Sequence, residues 1–523
     1  MDSPPPNVEI ARELTSASLK RAEVVRNLPP GSHIHISGVC GTGMASVLQL
    51  LKQKGFYVTG SDKAFYPPMG EVVRNTADLV YEGYSEKNLI PQPTLVVIGN
   101  SLSRGNPEVE HVISNNLPFA SMPEVFSALL IGTREECSTS VVVAGTHGKT
   151  TTTSAVATLL DKCGRKPGYF IGGIPKDLPS SIRPPADEQP ADERIVVLEG
   201  DEYDSAFFSK FSKFQSYRPD IAVITSLEFD HADIFQTIDD IDNEFEKFVC
   251  RVPAGGLILV CDTDKRVVDL ALRWHASGKM AGELAFYGHS ERAKFRLKKR
   301  QAISSATGET SSEYAQELIF SIGEAEITCL SPLSGEYNAL NLLAAAAVCS
   351  HKGIPLEKIA AAVPQFHGAL RRQNLVAEVR GIKIVEDFAH HPTAVDVTLR
   401  GLRESYPGSR IVAVFEPRSN TSRRAVFQDA YAKSFSAADK VVLLDVQEKG
   451  GYSSTATPVV VLSTAQLVDG IINSGVDAVF YPTVPALEDY LVQELRTGDV
   501  AILMSNGDFG GLVTSLPVRL KNS

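Results

Sequence analysis

The sequence predicts an α/β protein built from three domains. Three observations carry that reading. The chain has 523 residues, which at roughly 100–200 residues per domain makes three domains, or four. Short apolar runs alternate with helix-length segments, the pattern of a parallel sheet covered by helices. That alternation restarts twice, at Ser140 and again after Arg372.

The elements follow in order. Residues 1–30 are polar and begin MDSPPP, so they read as a tail with one short helix at 10–26. A strand at 33–37 runs into a glycine turn, a helix-like stretch at 44–53 and further strands at 56–59 and 94–98. The second start is a valine strand at 141–143, a glycine-bearing turn and a helix at 151–160. Strands at 194–198, 221–225 and 257–260 follow. The segment 175–194 is rich in Pro, Ser and acid and reads as a surface loop. Residues 291–330 read as strands with charged turns. In the last third, strands are expected at 382–385, 410–415, 440–444, 478–481 and 500–504. The expected divisions are a tail at 1–30 and domains at 31–135, 136–372 and 373–523.

Composition narrows the function. With 43% hydrophobic and 22% charged residues, the chain is neither disordered, collagen-like nor a coiled coil. No apolar run approaches the ~20 residues of a membrane helix. No basic segment followed by an apolar block opens the chain, so neither secretion nor membrane insertion is expected. Seven dispersed Cys without a CxxC pair fit reduced thiols in a cytoplasmic protein. The formal charge, 51 − 62 = −11, argues against nucleic acid as a partner, because phosphate neutralisation drives that binding.

The strongest local signal is Gly145-Thr146-His147-Gly148-Lys149-Thr150, followed by Thr151, between a strand and a helix. Backbone N–H groups of such a turn form an anion nest at a helix N-terminus. Lys149 can reach β- and γ-phosphates, and the Thr150 hydroxyl can ligate Mg²⁺. The spacing departs from GxxxxGK[ST], since Val143 stands where the first Gly would be. Carboxylates at neighbouring strand ends are needed to complete a Mg²⁺ site. Glu199 ends one strand, ahead of Asp201, Glu202 and Asp204, and Asp230, His231 and Asp233 follow another.

A second turn, Gly38-Val39-Cys40-Gly41-Thr42-Gly43, has Asp62 about 20 residues on, where a ribose-binding acid is expected. Its order is GxxGxG rather than GxGxxG, which favours pyrophosphate binding without selecting a nicotinamide cofactor. In the last third, His390-His391 precedes Pro and has no third ligand spaced nearby, so zinc is not expected. Arg418 and Asn420 suit a substrate carboxylate. The turn Met504–Gly511 is another anion-friendly feature.

Together these residues resemble the Mur ligase family of ATP-dependent amide-forming enzymes, collinearly from about His33 to Gly511. AGTHGKTTT (144–152), Glu199, DHAD (230–233), GEYNALN (335–341), GALRR (368–372) and EDFAHHP (386–392) fall in family order. The resemblance implies a Rossmann-like UDP-binding domain, a central P-loop ATPase-type domain and a C-terminal Rossmann-like domain that carries the amine. It implies ATP and Mg²⁺, with Lys149 and Thr150 on the phosphates and metal, and Glu199 and His231 on a second Mg²⁺. Asn338 and Asn341 would approach adenine, Arg372 the phosphates and Asp387 the ribose. Gly38, Gly41, Thr42, Gly43, Asp62 and Asn100 would hold the UDP-sugar. Arg418, Ser419 and Asn420 are the candidates for gripping a peptide.

Within the family, several segments look like the branch that joins UDP-N-acetylmuramate to the murein peptide L-alanyl-γ-D-glutamyl-meso-diaminopimelate. They are GSDKAFYPPM (60–69), GNSLSRGNP (99–107), GDEYDSAFF (200–208), LEFDHADIF (227–235), EPRSNT (416–421) and MSNGDFGG (504–511). The branch that takes free L-alanine is the alternative. A nicotinamide-dependent oxidoreductase and a non-catalytic nucleotide-binding subunit are alternatives of other classes. Two departures stand out. Tyr337 replaces the usual His, affecting adenine contacts, and Ser226 replaces the usual Asn, expected to remove a polar contact near the phosphates. The carbamylated lysine of some sister ligases has no assigned counterpart.

Overall fold

In a computed structural model, the structure describes residues 6–65, 69–186, 188–228, 235, 237–303, 314–419, 422–446 and 460–523. The chain divides into two compact units. The first runs through Glu228 and takes in Ile238–Arg296 and Ala344–Ala362, and the second holds Leu297–Leu343 and Val363–Ser523.

The first unit contains two sheets. The N-terminal one has β1 (His33–Ser37), β2 (Tyr57–Asp62), β3 (Leu79–Glu82), β4 (Leu95–Ile98) and β5 (Phe119–Ala120), in the order β3-β2-β1-β4-β5. All its pairings are parallel. The order reverses between β1 and β4, and ligands of open α/β sheets bind in the crevice at such a point. The turn after β1 and the Gly99-Asn100 turn after β4 both stand there.

The second sheet has β6 (Thr139–Ala144), β7 (Gly168–Phe170), β8 (Ile182–Arg183), β9 (Ile195–Gly200), β10 (Ile221–Ile224), β11 (Leu257–Cys261) and β12 (Glu283–Gly288). They lie in the order β12-β11-β10-β6-β9-β7-β8, parallel except for the β7–β8 pair. Val141, Val142 and Val143 of β6 are fully buried, as a strand covered on both faces requires. The segment expected to be only a surface loop contributes β8, whose Ile182 is also fully buried.

β13 (Phe295–Ala302) leads into the second unit, where β14 (Gln316–Ile322) and β15 (Ala325–Ser331) form an antiparallel hairpin. The third sheet has β16 (Asn374–Val379), β17 (Ile382–Asp387), β18 (Ile411–Phe415), β19 (Lys440–Leu444), β20 (Asp477–Tyr481) and β21 (Val500–Met504), in the order β16-β17-β21-β18-β19-β20. Only the edge strand β16 is antiparallel. Separate apolar cores cover its two faces, one around Phe415, Tyr431 and Phe435 and the other around Leu487, Leu491 and Leu516.

One expectation needs correction. Residues 1–30 hold the expected helix, at Pro6–Arg26, but its last part is docked on the protein instead of lying in a free tail. Ala22 and Val25 are buried, and the Arg21 guanidinium grips the buried Glu124 carboxylate at 2.8 Å while lying over the Phe208 ring. No helix among the described residues is long and apolar enough to cross a membrane.

Candidate active site

The phosphate-loop candidate lies between β6 and the helix Lys149–Lys162. Gly145 has φ +133°, and a Cβ there would stand 2.3 Å from Thr225 Oγ1 and 2.8 Å from Ser226 N. Only glycine fits that approach. Gly148 caps the helix with φ +82°, leaving the first-turn N–H groups facing the loop. Loop and neighbouring strand end are laced together. Thr146 N donates to Ser226 O (3.0 Å), His147 N to Ser226 Oγ (2.8 Å), and Thr225 Oγ1 to His147 O (2.5 Å). Ser226 thus ties the loop through its own hydroxyl as well as its carbonyl. The His147 ring faces Glu228 at 3.3 Å.

Lys149 Nζ folds back over the loop, donating to Gly145 O (2.6 Å) and Glu202 Oε2 (2.7 Å). Its side chain is 11% exposed and that of Glu202 3%. Thr150 Oγ1 donates to Glu199 Oε1 at 2.8 Å, and Gly172 N to Glu199 Oε2 at 2.7 Å. Parallel pairing brings this about, because β6 is paired with β9 and Val143 is level with Glu199. Thr151 is buried in the first helical turn.

Charge is unevenly shared among these acids. Burial pushes the Glu199 carboxyl above the usual glutamate value, and the Asp201 charge adds to it. Burial also opposes ionisation of Asp201, but Lys213 and Lys149 outweigh it and hold Asp201 below the aspartate range. Lys213 Nζ lies 2.9 Å from Asp201 Oδ2 and 3.9 Å from the Tyr203 ring centre. Burial pulls the Lys149 ammonium down, yet Glu202 and Asp201 more than offset that, so it stays charged.

The N-terminal crevice is held by Asp62. Its Oδ2 accepts from Cys40 N (2.8 Å) and its Oδ1 from Lys63 N (2.7 Å) and the Tyr84 hydroxyl (3.2 Å). Burial and then Asp62 push the Cys40 thiol up to about 12, so it is not a thiolate. Gly38 has φ +81°, and Gly41 caps the helix Thr42–Gln53. A Cβ on Gly43 would meet Met122 Sδ at 2.5 Å, so this glycine serves helix packing. Asn100 Nδ2 donates to Asp204 O at 3.0 Å.

In the second unit, Asp387 ends β17 and accepts from Gln373 N and Ala389 N, both at 2.7 Å. Burial raises its carboxyl, with Arg372 acting against the rise. Arg371 and Arg372 both lie over the Phe388 ring, at 5.1 and 5.0 Å. Asn338 is buried and donates to Ser334 O at 2.8 Å, and Asn341 is buried one helical turn on. A Cβ on Gly335 would stand 2.8 Å from the Tyr337 ring, so the ring is seated on that glycine. β18 and β21 are neighbours, which joins two motifs 90 residues apart: Arg418 Nη1 donates to Asp508 Oδ1 at 2.5 Å. Ser419 Oγ accepts from Ser422 N at 2.8 Å, organising its own turn. His231 and Asn420 lie outside the described residues.

Comparison with known proteins decides what this frame belongs to. Three family models match successive parts of the chain: "Mur ligase family, catalytic domain" at 33–134, "Mur ligase middle domain" at 143–349 and "Mur ligase, glutamate ligase domain" at 371–507. The chain belongs to the Mur ligase family.

Mur ligases are ATP-dependent ligases, and this member has their three-domain α/β architecture. It is 35% identical over 481 residues to the UDP-N-acetylmuramate–L-alanyl-γ-D-glutamyl-meso-2,6-diaminoheptandioate ligase of Escherichia coli (strain K12), covering 92% of this chain and 96% of that one. It is 31% identical over 475 residues to the UDP-N-acetylmuramate–L-alanine ligase of Renibacterium salmoninarum, covering 91% and 93%. Among solved structures, the murein peptide ligase of Psychrobacter arcticus 273-4 is similar with a TM-score of 0.68 and 30% identity, over 94% of this chain and 99% of that one.

Two features of this Mur ligase were not singled out from its sequence. Glu202 is the direct partner of Lys149, and Lys213 neutralises Asp201. The GDEYDS motif held the signal for the first: three acids follow β9, and one must face the loop lysine. The second had none, since Lys213 is 12 residues further on.

Proposed function

We propose that the chain is an ATP-dependent ligase joining the carboxylate of UDP-N-acetylmuramate to the amine of L-alanyl-γ-D-glutamyl-meso-diaminopimelate, as in the recycling of murein peptides. The observation that carries it is the meeting of Lys149, Thr150 and Glu199 at the ends of β6 and β9. The peptide as amine rests on the 35% identical relative and on the EPRSNT and MSNGDFGG motifs meeting through Arg418 and Asp508. We assign residues 31–135 to the UDP-sugar, 136–372 to ATP and 373–523 to the amine.

The chemistry follows from the difficulty of the step. A carboxylate is a poor electrophile at neutral pH. Its oxygen attacks the γ-phosphorus of ATP, the bond to the β-phosphate oxygen breaks, and ADP leaves an acyl phosphate. The peptide amine then attacks the acyl carbon, loses a proton, and inorganic phosphate departs from the tetrahedral intermediate. Such transfers are catalysed mainly by positioning and electrostatics. The Lys149 ammonium and the N–H groups after Gly148 hold the phosphates and offset charge developing on them.

A hydroxyl and a carboxylate 2.8 Å apart are hard oxygen donors, a set that suits Mg²⁺. Thr150 would hold one Mg²⁺ beside the phosphates and Glu199, with His231, a second, and bound Mg²⁺ would supply positive charge to the phosphate oxygens. Arg372, Asp387, Asn338 and Asn341 are assigned to the nucleoside side of ATP, and Asp62, Asn100 and the turn after β1 to the UDP-sugar.

ADP release from purified protein with UDP-N-acetylmuramate tests the reading directly. Turnover is expected with the tripeptide and not with L-alanine or without amine. Turnover with L-alanine alone would select the sister activity, and none with any amine would overturn the ligase reading.

A further inference from the structure

The N-terminal sheet hides a carboxylate that the reaction scheme does not use. Glu108 opens the helix Pro107–Ser114 and is fully buried, as are His35, Ser37 and Ser61 around it. Its Oε2 accepts from Ser37 Oγ at 2.5 Å and Ser61 Oγ at 2.6 Å, and its Oε1 from Asn88 Nδ2 at 2.7 Å and Ser85 N at 3.4 Å. His35 Nε2 lies 3.4 Å from Oε2, and the other ring nitrogen meets Thr59 Oγ1 at 2.8 Å.

Burying a charge is costly unless every lone pair finds a partner, and an apolar substitute is often no less stable. Stability alone gives little reason for a carboxylate here. Position gives one. Ser37 and Ser61 are the residues through which β1 and β2 reach the crevice, and their carbonyls hold its backbone. Ser61 O accepts from Gly38 N (2.9 Å) and Val39 N (3.1 Å), and Ser37 O accepts from Gly99 N (2.9 Å). Each serine is thus tied to Glu108 by its hydroxyl and to a ligand-side turn by its carbonyl. Asn88 adds a tie to Gly83 O, and Gly83 N donates to Asp62 O.

We infer that Glu108 is a positioning residue for the sugar-nucleotide site, fixing the Gly38–Gly43 and Gly99-Asn100 turns against each other through Ser37 and Ser61. It rests on the reading of that crevice as the UDP-sugar site. The helix N-terminus at Pro107 favours the carboxylate's charge, which keeps the ties charge-assisted.

The test compares Glu108→Gln, Ser61→Ala and Asp62→Ala, measuring kcat, KM for each substrate and calorimetric binding of UDP-N-acetylmuramate. Glu108→Gln is expected to raise KM and Kd for the sugar nucleotide about tenfold, with KM for ATP unchanged. Ser61→Ala, which keeps the carboxylate and cuts one tie, is expected to raise them several-fold, and carries the test if Glu108→Gln does not fold. Unchanged sugar-nucleotide KM in both variants, or equal rises for ATP and the sugar nucleotide, would overturn the positioning role. Asp62→Ala separates the two levels. If it raises the sugar-nucleotide KM while the other two do not, only the Glu108 assignment falls. If it leaves that KM unchanged, the reading of the crevice falls.

Discussion

Lys149 and Glu202 form an ion pair of 2.7 Å across the phosphate loop, with both side chains nearly closed to solvent. The pair holds the loop in shape, and in the proposed reaction an incoming phosphate would compete with Glu202 for the ammonium. Removing one partner of such a pair leaves a buried charge alone, which typically costs ~3 kcal/mol or more. Lys149→Ala is therefore expected to lower stability by about that much as well as abolish ADP release at saturating substrate. Adding Glu202→Gln to Lys149→Ala should restore much of the stability and none of the activity. Urea unfolding of the four proteins of this double-mutant cycle checks it, and additive losses would show the pair to be uncoupled.

Thr150 and Glu199 share one hydrogen bond, so each fixes the donor atom that the other would present to Mg²⁺. Thr150→Ala removes one of the proposed ligands and frees the carboxylate to rotate. It is expected to raise the Mg²⁺ concentration needed for half-maximal rate about tenfold, and Thr150→Ser to restore it. Glu199→Gln should lose activity at any Mg²⁺ concentration. A Thr150→Ala enzyme with wild-type Mg²⁺ dependence would remove Thr150 from the metal site.

Much of this was legible in the sequence because it is local or follows from parallel order. Glu199 was placed by its strand end, and the structure puts it beside Thr150 because β6 and β9 are neighbours. The partner of Lys149 was not legible, since Glu199, Asp201, Glu202 and Asp204 crowd one turn and only packing decides which faces inward. The docking of the Pro6–Arg26 helix was hidden for another reason. Its partners Glu124 and Phe208 are about a hundred or more residues away, and nothing in a polar N-terminal segment announces them. Strand β16 escaped because an edge strand with no buried side chain lacks a strong apolar signal.

Arg418 is held at 2.5 Å by Asp508, whose side chain is 75% exposed. An exposed pair of this kind contributes little to stability, so a guanidinium kept here suits an exchangeable carboxylate better than a structural role. Arg418→Ala is expected to raise KM for the peptide about tenfold while KM for ATP and for the sugar nucleotide stay put. Arg418→Lys should recover only part, because an ammonium lacks the planar two-pronged donor set. Asp508→Asn removes the competitor and should lower the peptide KM. Steady-state kinetics with peptide varied at saturating ATP decides it, and an unchanged peptide KM in Arg418→Ala would move the peptide site elsewhere.

The Glu108 network also sets a pH dependence of stability. Burial pushes the Glu108 carboxyl up, but the His35 ring and the Ser37 and Ser61 hydroxyls outweigh it, holding the group below its ordinary value of 4.5. The unfolded chain therefore binds the proton more readily than the folded one. The charge contributes stability that is fully present above 4.5 and is lost as pH falls through the lowered folded value. Glu108→Gln has no such charge to lose. The stability difference between wild type and Glu108→Gln is expected to be largest at neutral pH and to shrink as pH drops below 4.5. The single tryptophan, Trp274, is buried in the same compact unit as Glu108, so its fluorescence in urea reports the transition. A difference that stays constant across that range would mean that Glu108 does not lose a folded-state charge there.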